Sequence, residues 1–364
     1  MITQAEIARK IVQNCLKVKP DEQVQISTYQ HTLQMAEALA IECYKAGALP
    51  YILLDTDTLF RAILGEIPHA YLSKTPHYLL AASQRLDTII NTGGPEDPDV
   101  FSAGSPEKMT LLNQGFKPVA DAWRQRMVRE VSMDWGACTP QRARQYGVDF
   151  AAWQDSLQAA MSADYLAMAD QGKRIAEILS NGEKVHLTAG GQTDILVRLA
   201  ERPVFVNDGI LDEADLARGQ RWTSFPTGTV SIAPDEDSAN GTIVFPEVQL
   251  WGKIVKDLRW NFKAGRLIDW SAAENGDLFA ESYTSASGDK DRFGFLAIGI
   301  NPLARPVGFF YNDWLVAGAV TGGIGSNQDD GGKNDTMFAQ YACVRDASLE
   351  VDGKPVVKDG KLVM

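Results

Sequence analysis

Histidine and cysteine, which often act as catalytic or metal-binding residues, are few in this chain, and their spacing matches no catalytic or metal-binding motif. The last of its four histidines is His186, so the C-terminal half has none. Its four cysteines, Cys15, Cys43, Cys138 and Cys343, show no CxxC spacing. A nucleophilic cysteine needs a neighbouring base, and the sequence indicates none. We therefore expect buried free thiols in a reducing compartment and a structural role for His186.

A glycine-rich stretch, residues 318–332 (GAVTGGIGSNQDDGG), is the second feature of interest. It has too few side chains to pack a core, so we expect a loop with unusual backbone conformations, of the kind that often lines a site. Asp329 and Asp330 in this stretch could bind a cation. Acidic residues in such loops are, however, usually turn formers with solvated carboxylates.

A third feature is residues 222–247, WTSFPTGTVSIAPDEDSANGTIVFPE. It contains a Pro-Thr-Gly turn, a strand in which Val230 and Ile232 alternate with polar residues, and the acidic turn Asp235-Glu236-Asp237. A second strand follows over residues 241–245. The pattern predicts two strands joined by an acidic turn.

Length and charge limit the possible functions. At 364 residues the chain is long enough for two domains. Its formal net charge of −12 argues against nucleic acid as a partner, because phosphate binding needs a basic surface. A run of about 18 apolar residues is lacking, so no membrane span is predicted. The N-terminus carries a Thr3-x-x-Glu6 capping box rather than a signal peptide, which favours a cytoplasmic protein.

Helical and extended patterns alternate in the first half of the chain, which predicts a parallel α/β sheet. Gly93-Gly94 follows a predicted strand, but without a GxGxxG or Walker motif it indicates a plain turn rather than a nucleotide site. The predicted strands cover residues 23–26, 50–54 and 87–90, and the predicted helices cover residues 32–46, 105–113, 119–129 and 140–179.

The second half is rich in extended segments, with turn residues about every eight to twelve positions, as is typical of antiparallel β structure. The helix stop at Asn181-Gly182 suggests a domain boundary. The predicted fold class is α/β: residues 1–182 form an N-terminal α/β domain with a parallel sheet and long helices. Residues 183–364 form a largely antiparallel, β-rich domain that carries the site.

The order of these segments resembles the thermophilic aminopeptidase family (aminopeptidases T and S) and its relatives among the 2,5-dihydroxypyridine dioxygenases. The resemblance implies an active site in the C-terminal domain and a homodimer. It also implies metal: two divalent ions held by carboxylates and histidines, or one iron held by two histidines and an aspartate. The motifs that carry it are VKPDEQVQI, TPQRARQYGVDFAAWQDSL, GQTDILVRLAER, PTGTVSIAPDEDSANGTIVF, AIGINPLA, GGKNDT and SLEVDG.

The ligands that this resemblance implies are replaced in this sequence. The expected glutamate of the Pro-Thr-Gly turn falls on Thr229, and the ligand before AIGINP falls on Phe295. The aminopeptidase histidine falls on or near Trp314, and the His-x-Asp pair falls on Ala339 and Tyr341. Such side chains do not hold a catalytic divalent cation. We therefore expect neither a metal nor another cofactor.

Hydrolysis without a metal needs an activated nucleophile and a stabilised oxyanion. A desolvated lysine beside a hydroxyl can act as a base, so we predict Lys333 with Thr229 or Ser326 as the catalytic group. Backbone N–H groups of the glycine-rich stretch could form an anion hole. The alternative for Lys333 is a surface lysine paired with Asp330 or Asp335.

Aromatic side chains at former ligand positions favour a flat, apolar or heteroaromatic ligand. The alternative is that these rings only fill space. The predicted substrate-binding residues are Phe295, Trp314, Asn327, Asp330, Asp335 and Tyr341.

The predicted function is a metal-independent, aminopeptidase-like hydrolase that cleaves a C–N bond in a small amide, lactam or heteroaromatic ring, as heterocycle catabolism requires. One alternative is a ring-cleaving dioxygenase of a hydroxypyridine-like substrate, with an iron site rebuilt from aspartates. The aspartates available for it are Asp313, Asp329, Asp330 and Asp335. Another alternative is a non-catalytic relative that binds a small molecule.

Overall fold

The computed structural model describes residues 2–250 and 253–364. They form two compact units. The first comprises the chain up to Arg144 together with Gly209–Pro226, and the second comprises Gln145–Asp208 together with the chain from Thr227 onward. The predicted boundary at residue 182 falls inside the second unit. That residues 183–364 form a domain of their own stays a prediction.

The first helix begins with the predicted capping box, because the Thr3 hydroxyl accepts the Glu6 N–H and the Glu6 carboxylate accepts the Thr3 N–H. In chain order the helices are α1 (Gln4–Arg9), α2 (Leu33–Lys45), α3 (Asp57–Glu66), α4 (His69–Leu72), α5 (His77–Ser83), α6 (Pro106–Gln125), α7 (Pro140–Tyr146), α8 (Phe150–Met161), α9 (Tyr165–Asn181), α10 (Glu213–Ala217), α11 (Gly276–Ser285) and α12 (Phe310–Asp313). A π-helical turn covers Lys10–Cys15, and 3-10 turns cover Gln30–Thr32, Pro98–Ala103, Asp134–Ala137 and Gln328–Asp330.

The strands follow the same chain order. They are β1 (Gln23–Tyr29), β2 (Leu49–Asp55), β3 (Thr88–Asn91), β4 (Arg129–Met133), β5 (Lys184–Ala189), β6 (Thr193–Arg198), β7 (Phe205–Asn207), β8 (Trp222–Phe225), β9 (Thr229–Ile232), β10 (Asn240–Leu250), β11 (Lys253–Lys263), β12 (Arg266–Ser271), β13 (Phe293–Gly299), β14 (Val320–Gly325), β15 (Ala339–Val344), β16 (Ser348–Val351), β17 (Lys354–Lys358) and β18 (Lys361–Leu362).

The first unit is built on a five-stranded sheet in the order β2-β1-β3-β4-β8, and every pairing in it is parallel. This confirms the predicted parallel α/β sheet. α2 packs on β1 and β2 through an apolar face that includes Met35, Leu39 and Cys43, all fully buried. The spacing of these residues by four places them on one side of the helix.

The second unit contains two antiparallel sheets, which confirms the predicted β-rich fold. The larger has the order β12-β11-β10-β6-β5-β16-β17-β18, and the smaller has the order β15-β14-β13-β9-β7. One apolar core joins their inward faces with α9, which contributes Met168, Ile175 and Leu179. Trp260 is fully buried in this core, with its ring centroid 4.7 Å from that of Phe245.

Three predicted elements were wrong. The glycine-rich stretch is not entirely a loop, because its middle part is β14, paired on both sides with β13 and β15. A Cβ on Gly322 would lie 2.8 Å from Cδ1 of Ile243, so the absent side chain allows close packing in the core. The two helices predicted over residues 105–129 are one helix, α6, with Pro118 inside it. Arg129 starts β4 instead of ending a helix.

Candidate active site

Two aromatic rings meet on the smaller antiparallel sheet. Phe295 of β13 and Tyr341 of β15 both pair with Gly323 of β14, and their ring centroids lie 4.6 Å apart. A Cβ on Gly323 would lie 2.1 Å from Cδ1 of Tyr341, so the glycine allows the tyrosine ring to lie across the middle strand. We call Phe295 and Tyr341 the aromatic pair. Phe295 is buried, so the partly exposed ring of Tyr341 is the one on which a planar ligand could stack.

The hydroxyl of Tyr341 is held in place by the chain that follows β14. It donates to the main-chain oxygen of Ser326 over 3.0 Å. Burial, and then the neighbouring carboxylates of Asp330 and Asp329, raise the pKa of this hydroxyl. Tyr341 therefore stays protonated at neutral pH and acts as a donor rather than as a base.

Asp330 is the carboxylate with the most altered acidity at this site. It ends the 3-10 turn Gln328–Asp330, and Gly331 follows in the left-handed region with φ 78°. Burial, and then the charge of Asp329, raise the pKa of Asp330 to about 7. A carboxyl group with this pKa is present in both protonation states at neutral pH, which suits proton transfer.

Each carboxylate of the acidic turn between β9 and β10 has an arginine partner. The pairs are Asp235 with Arg198 at 2.6 Å, Glu236 with Arg202 at 2.5 Å, and Asp237 with Arg292. The outer two pairs each include a well-exposed side chain, so they stabilise the fold little. In the Glu236–Arg202 pair, both side chains are only 9% exposed.

Glu236 also binds the segment that carries Asp330. Its Oε1 accepts the side-chain amide of Asn327 at 3.1 Å and the backbone N–H of Lys333 at 2.7 Å, in addition to Arg202 Nη1. Burial alone would raise the pKa of Glu236. The bonds from Arg202, Lys333 and Asn327 outweigh burial and lower the pKa to about 2. Glu236 is therefore a buried carboxylate that stays ionised.

The backbone N–H groups of residues 330–334 all donate within the protein. Those of Asp330 and Gly332 donate to the main-chain oxygen of Asn327, and that of Gly331 donates to Gln328. Those of Lys333 and Asn334 donate to the side chains of Glu236 and Asn327. These five groups therefore do not form the anion hole predicted from the sequence.

Thr229 and Lys333 lie toward opposite ends of β9, so they are not neighbours. Thr229 is buried and pairs with Gly299, four residues from Phe295 along β13, or roughly 13 Å at the usual strand rise. The backbone of Lys333 is bonded to Glu236, beyond the opposite end of β9, and its side chain is exposed. Ser326 accepts the Tyr341 hydroxyl, Asn327 bonds to Gly294 next to Phe295, and Asp330 lies near enough for its charge to raise the Tyr341 pKa. The structure does not bring Thr229 next to Lys333.

Trp314 and Asp335 lie in other surroundings. The ring of Trp314 contacts that of Phe310, with centroids 5.8 Å apart, and packs on a small cluster around Leu315. Asp335 is exposed, and its backbone N–H donates to Asp289 at 3.2 Å.

The side chains at the implied ligand positions do not fit a divalent cation. Phe295 and Tyr341 contact each other with their rings tilted by 56°. Of the aspartates considered for a rebuilt site, Asp313 accepts the N–H groups of Val307 and Gly308 from its own loop. Over residues 2–250 and 253–364, no three His, Cys, Asp or Glu side chains converge on a point that could hold a metal ion.

The sequence prediction missed the network formed by Arg202, Glu236, Asn327 and the Lys333 N–H, which we call the Glu236 network. The acidic turn and the glycine-rich stretch were both visible in the sequence. The bond between them joins residues 91 and 97 positions apart, and local patterns do not reveal such contacts. A clue was available in the combination of one glutamate between two aspartates with nearby arginines.

The Gly93-Gly94 turn of the first unit leaves no room for an anion at Gly93. A Cβ on Gly93 would lie 2.6 Å from Cα of Gly136. The adjacent Thr28, Thr32 and Thr92 hydroxyls bond to one another at 2.8–2.9 Å, so their hydrogen-bonding capacity is used internally. This supports the prediction of a plain turn.

A helix of the length and apolar character needed to cross a bilayer is absent from the described residues.

Residues 3–312 match the model of a family described as thermophilic metalloprotease (M29). This match confirms the resemblance drawn from the sequence motifs. No curated protein matches the chain at a significant level.

Two solved structures have the same fold. Wild-type AmpT from Thermus thermophilus matches with a TM-score of 0.72 and 17% identity, over 99% of each chain. The 2,5-dihydroxypyridine dioxygenase from Pseudomonas putida KT2440 matches with a TM-score of 0.62 and 14% identity, over 100% of this chain and 98% of that chain. At these identities both likenesses concern the fold alone.

Proposed function

The chain belongs to the thermophilic metalloprotease family M29, and we propose that it is a hydrolase that cleaves a C–N bond of a small molecule without a metal. The proposed substrates are amides, lactams and heteroaromatic rings. The observation that carries this proposal is the aromatic pair together with Asp330, which lies within electrostatic range of Tyr341 and has its own pKa raised to about 7. A flat face beside a carboxyl group of neutral pKa suits binding and proton transfer together.

In the proposed reaction Asp330 is the general base. Its carboxylate takes a proton from water as the water oxygen bonds to the carbon of the scissile C–N bond. The C–N bond then breaks, and the proton passes from Asp330 to the leaving nitrogen. One water is consumed, and Asp330 returns to its ionised form.

Stacking on the partly exposed ring of Tyr341, which packs against the buried Phe295, orients the substrate. A planar substrate is also consistent with the structural neighbour that is a dihydroxypyridine dioxygenase. The side-chain amide of Asn327 donates to Glu236 and to the carbonyl of Gly294, and it thereby holds the backbone next to Phe295. Trp314 and Asp335 stay candidates for contacts with larger substrates.

Lys333, Thr229 and Ser326 stay the alternative base and nucleophiles. The exposed side chain of Lys333 can approach a substrate from solvent, whereas Thr229 is buried and pairs with Gly299, four residues from Phe295 along β13. We favour Asp330 because its burial accounts for a pKa suited to the role. We also propose that the protein is a cytoplasmic homodimer.

The test is turnover of a panel of small amides, lactams and N-heterocycles by wild type, Asp330→Asn and the matched control Asp329→Asn. We expect Asp330→Asn to lose about two to four orders of magnitude in kcat. Asp329→Asn should keep kcat within about threefold of wild type above pH 7, with a lower pH midpoint of kcat/KM, because the charge of Asp329 helps to raise the pKa of Asp330. Wild-type kcat/KM should rise with a midpoint near pH 7, as Asp330 ionises. Undiminished turnover by Asp330→Asn, or ligand binding with no turnover on the panel, would overturn the proposal.

A further inference from the structure

We propose that Glu236 is a positioning residue, whose carboxylate holds residues 327–334 and so fixes Asp330 beside the aromatic pair. Its effect on the reaction rests on the proposed function, whereas its effect on the segment does not. The argument depends on the bonds of the Glu236 network and on the packing of Asn327.

The Glu236 carboxylate joins its own turn to two other parts of the chain. Arg202 follows β6, whereas Asn327 and Lys333 lie at the start and near the end of the segment that carries Asp330. Oε1 of Glu236 accepts one donor from each of them, and Oε2 accepts the second guanidinium N–H of Arg202 at 2.5 Å. Hydrogen bonds to a charged group are about twice as strong as neutral ones, so this single side chain restrains both ends of the segment.

Asn327 transmits this restraint to Asp330. Its main-chain oxygen accepts the Asp330 N–H at 3.0 Å and the Gly332 N–H at 2.8 Å, and its side-chain oxygen accepts the Asn334 N–H at 2.9 Å. A Cβ on Gly332 would lie 2.0 Å from Cγ of Asn327, so the segment wraps tightly around the asparagine. Displacement of Asn327 would therefore displace Asp330.

Arg202 and Glu236 are paired buried charges, so replacing both together can separate an effect on stability from an effect on positioning. Removal of one partner leaves an uncompensated buried charge, whereas replacement of both by apolar side chains is often tolerated. The double variant Arg202→Met with Glu236→Leu removes the ion pair and the acceptor for Asn327 and Lys333 together. Asp235→Asn is the matched control, because it changes a neighbouring carboxylate whose arginine partner is Arg198.

The first measurement is hydrogen exchange of the Lys333 and Asn334 amides in the full chain without substrate. In the double variant we expect exchange at least about ten times faster than in wild type, with the thermal midpoint nearly unchanged, and wild-type exchange in Asp235→Asn. Unchanged exchange in a folded double variant would overturn the proposal. Should the double variant not fold, Glu236→Asp keeps the charge opposite Arg202 but shortens the side chain and so withdraws the carboxylate from Asn327 and the Lys333 N–H, and wild-type exchange there would overturn the proposal equally.

The second measurement is the pH dependence of kcat/KM, which a purely structural role would not change. We expect the midpoint in the double variant to fall below that of wild type, because a released Asp330 becomes solvated, and kcat to fall more than KM rises. Faster exchange with a wild-type midpoint would contradict the positioning of Asp330. Faster exchange in a protein that hydrolyses nothing would refute the proposed function and leave the restraint of the segment intact.

Discussion

At the scale of single residues, Asp330 links the acidity of the site to the stability of the fold. Its folded pKa of about 7 lies above the ordinary value of 3.8, so the folded state holds a proton that the unfolded state releases between these values. The unfolded state then binds fewer protons, and stability falls as pH rises from about 4 to 7. The cause is that burial disfavours the ionised carboxylate.

Asp330→Asn should remove this loss. We expect the variant to be more stable than wild type at pH 8 by roughly 1–3 kcal/mol and nearly equal to wild type at pH 4. Urea unfolding at the two pH values measures the difference. A variant that is destabilised equally at both pH values would show that Asp330 is ionised and paired in the folded protein.

Gly323 is the residue on which the aromatic pair depends. A Cβ there would overlap the Tyr341 ring, so Gly323→Ala should push the ring off Phe295 and cost roughly 1–3 kcal/mol of stability. Denaturant unfolding gives the stability, and the loss of ring contact should weaken binding of planar ligands. Gly94→Ala is the control, because a Cβ at that position meets nothing within 4 Å. Equal effects of the two substitutions would contradict this account.

Some of these residues were accessible from the sequence, and others were not. The motif matches pointed to Phe295 and Tyr341, and the structure brings these two together. The raised pKa of Asp330 depends on burial, which a pattern of residue types does not report. The role of Glu236 depends on a partner 97 positions away.

At the scale of elements, the glycines of β14 determine how the two sheets of the second unit pack. Sequence patterns predicted a loop because glycine is rare in strands. In β14, however, the missing side chains make room for Ile243 of β10 on one face and for Tyr341 on the other. β4 was missed for a different reason. Its alternation of buried and partly buried residues spans only five positions and comes directly after the long helical pattern of α6.

Gly322 and Ile243 should therefore be energetically coupled. Gly322→Ala places a methyl group 2.8 Å from Cδ1 of Ile243 and should cost roughly 1–3 kcal/mol. Ile243→Val removes a methyl group at a fully buried position and should cost roughly 0.5–1.5 kcal/mol. The double variant should lose less than the sum of the two in a double-mutant cycle. Strict additivity would show that the two residues do not share this space.

At the scale of the whole molecule, the parallel sheet and the β-rich half were predictable because their hydrophobic periodicities differ. The extent of the second unit was harder to predict, because its core includes side chains of α9. We expect the fragment 183–364, which lacks Met168, Ile175 and Leu179, to show no cooperative thermal transition by circular dichroism. The fragment 145–364 keeps α8 and α9 and is the control. Cooperative unfolding of the shorter fragment would support a domain boundary at residue 182.

The central claim is that a member of a metalloprotease family performs hydrolysis with Asp330 and an aromatic pair instead of a metal. The most direct measurement is the metal content of purified, active protein, determined by elemental mass spectrometry with turnover recorded on the same sample. The account predicts turnover with zinc, cobalt, manganese and iron far below one equivalent per chain. A full equivalent of any of these metals, removed by a chelator together with the activity, would contradict it.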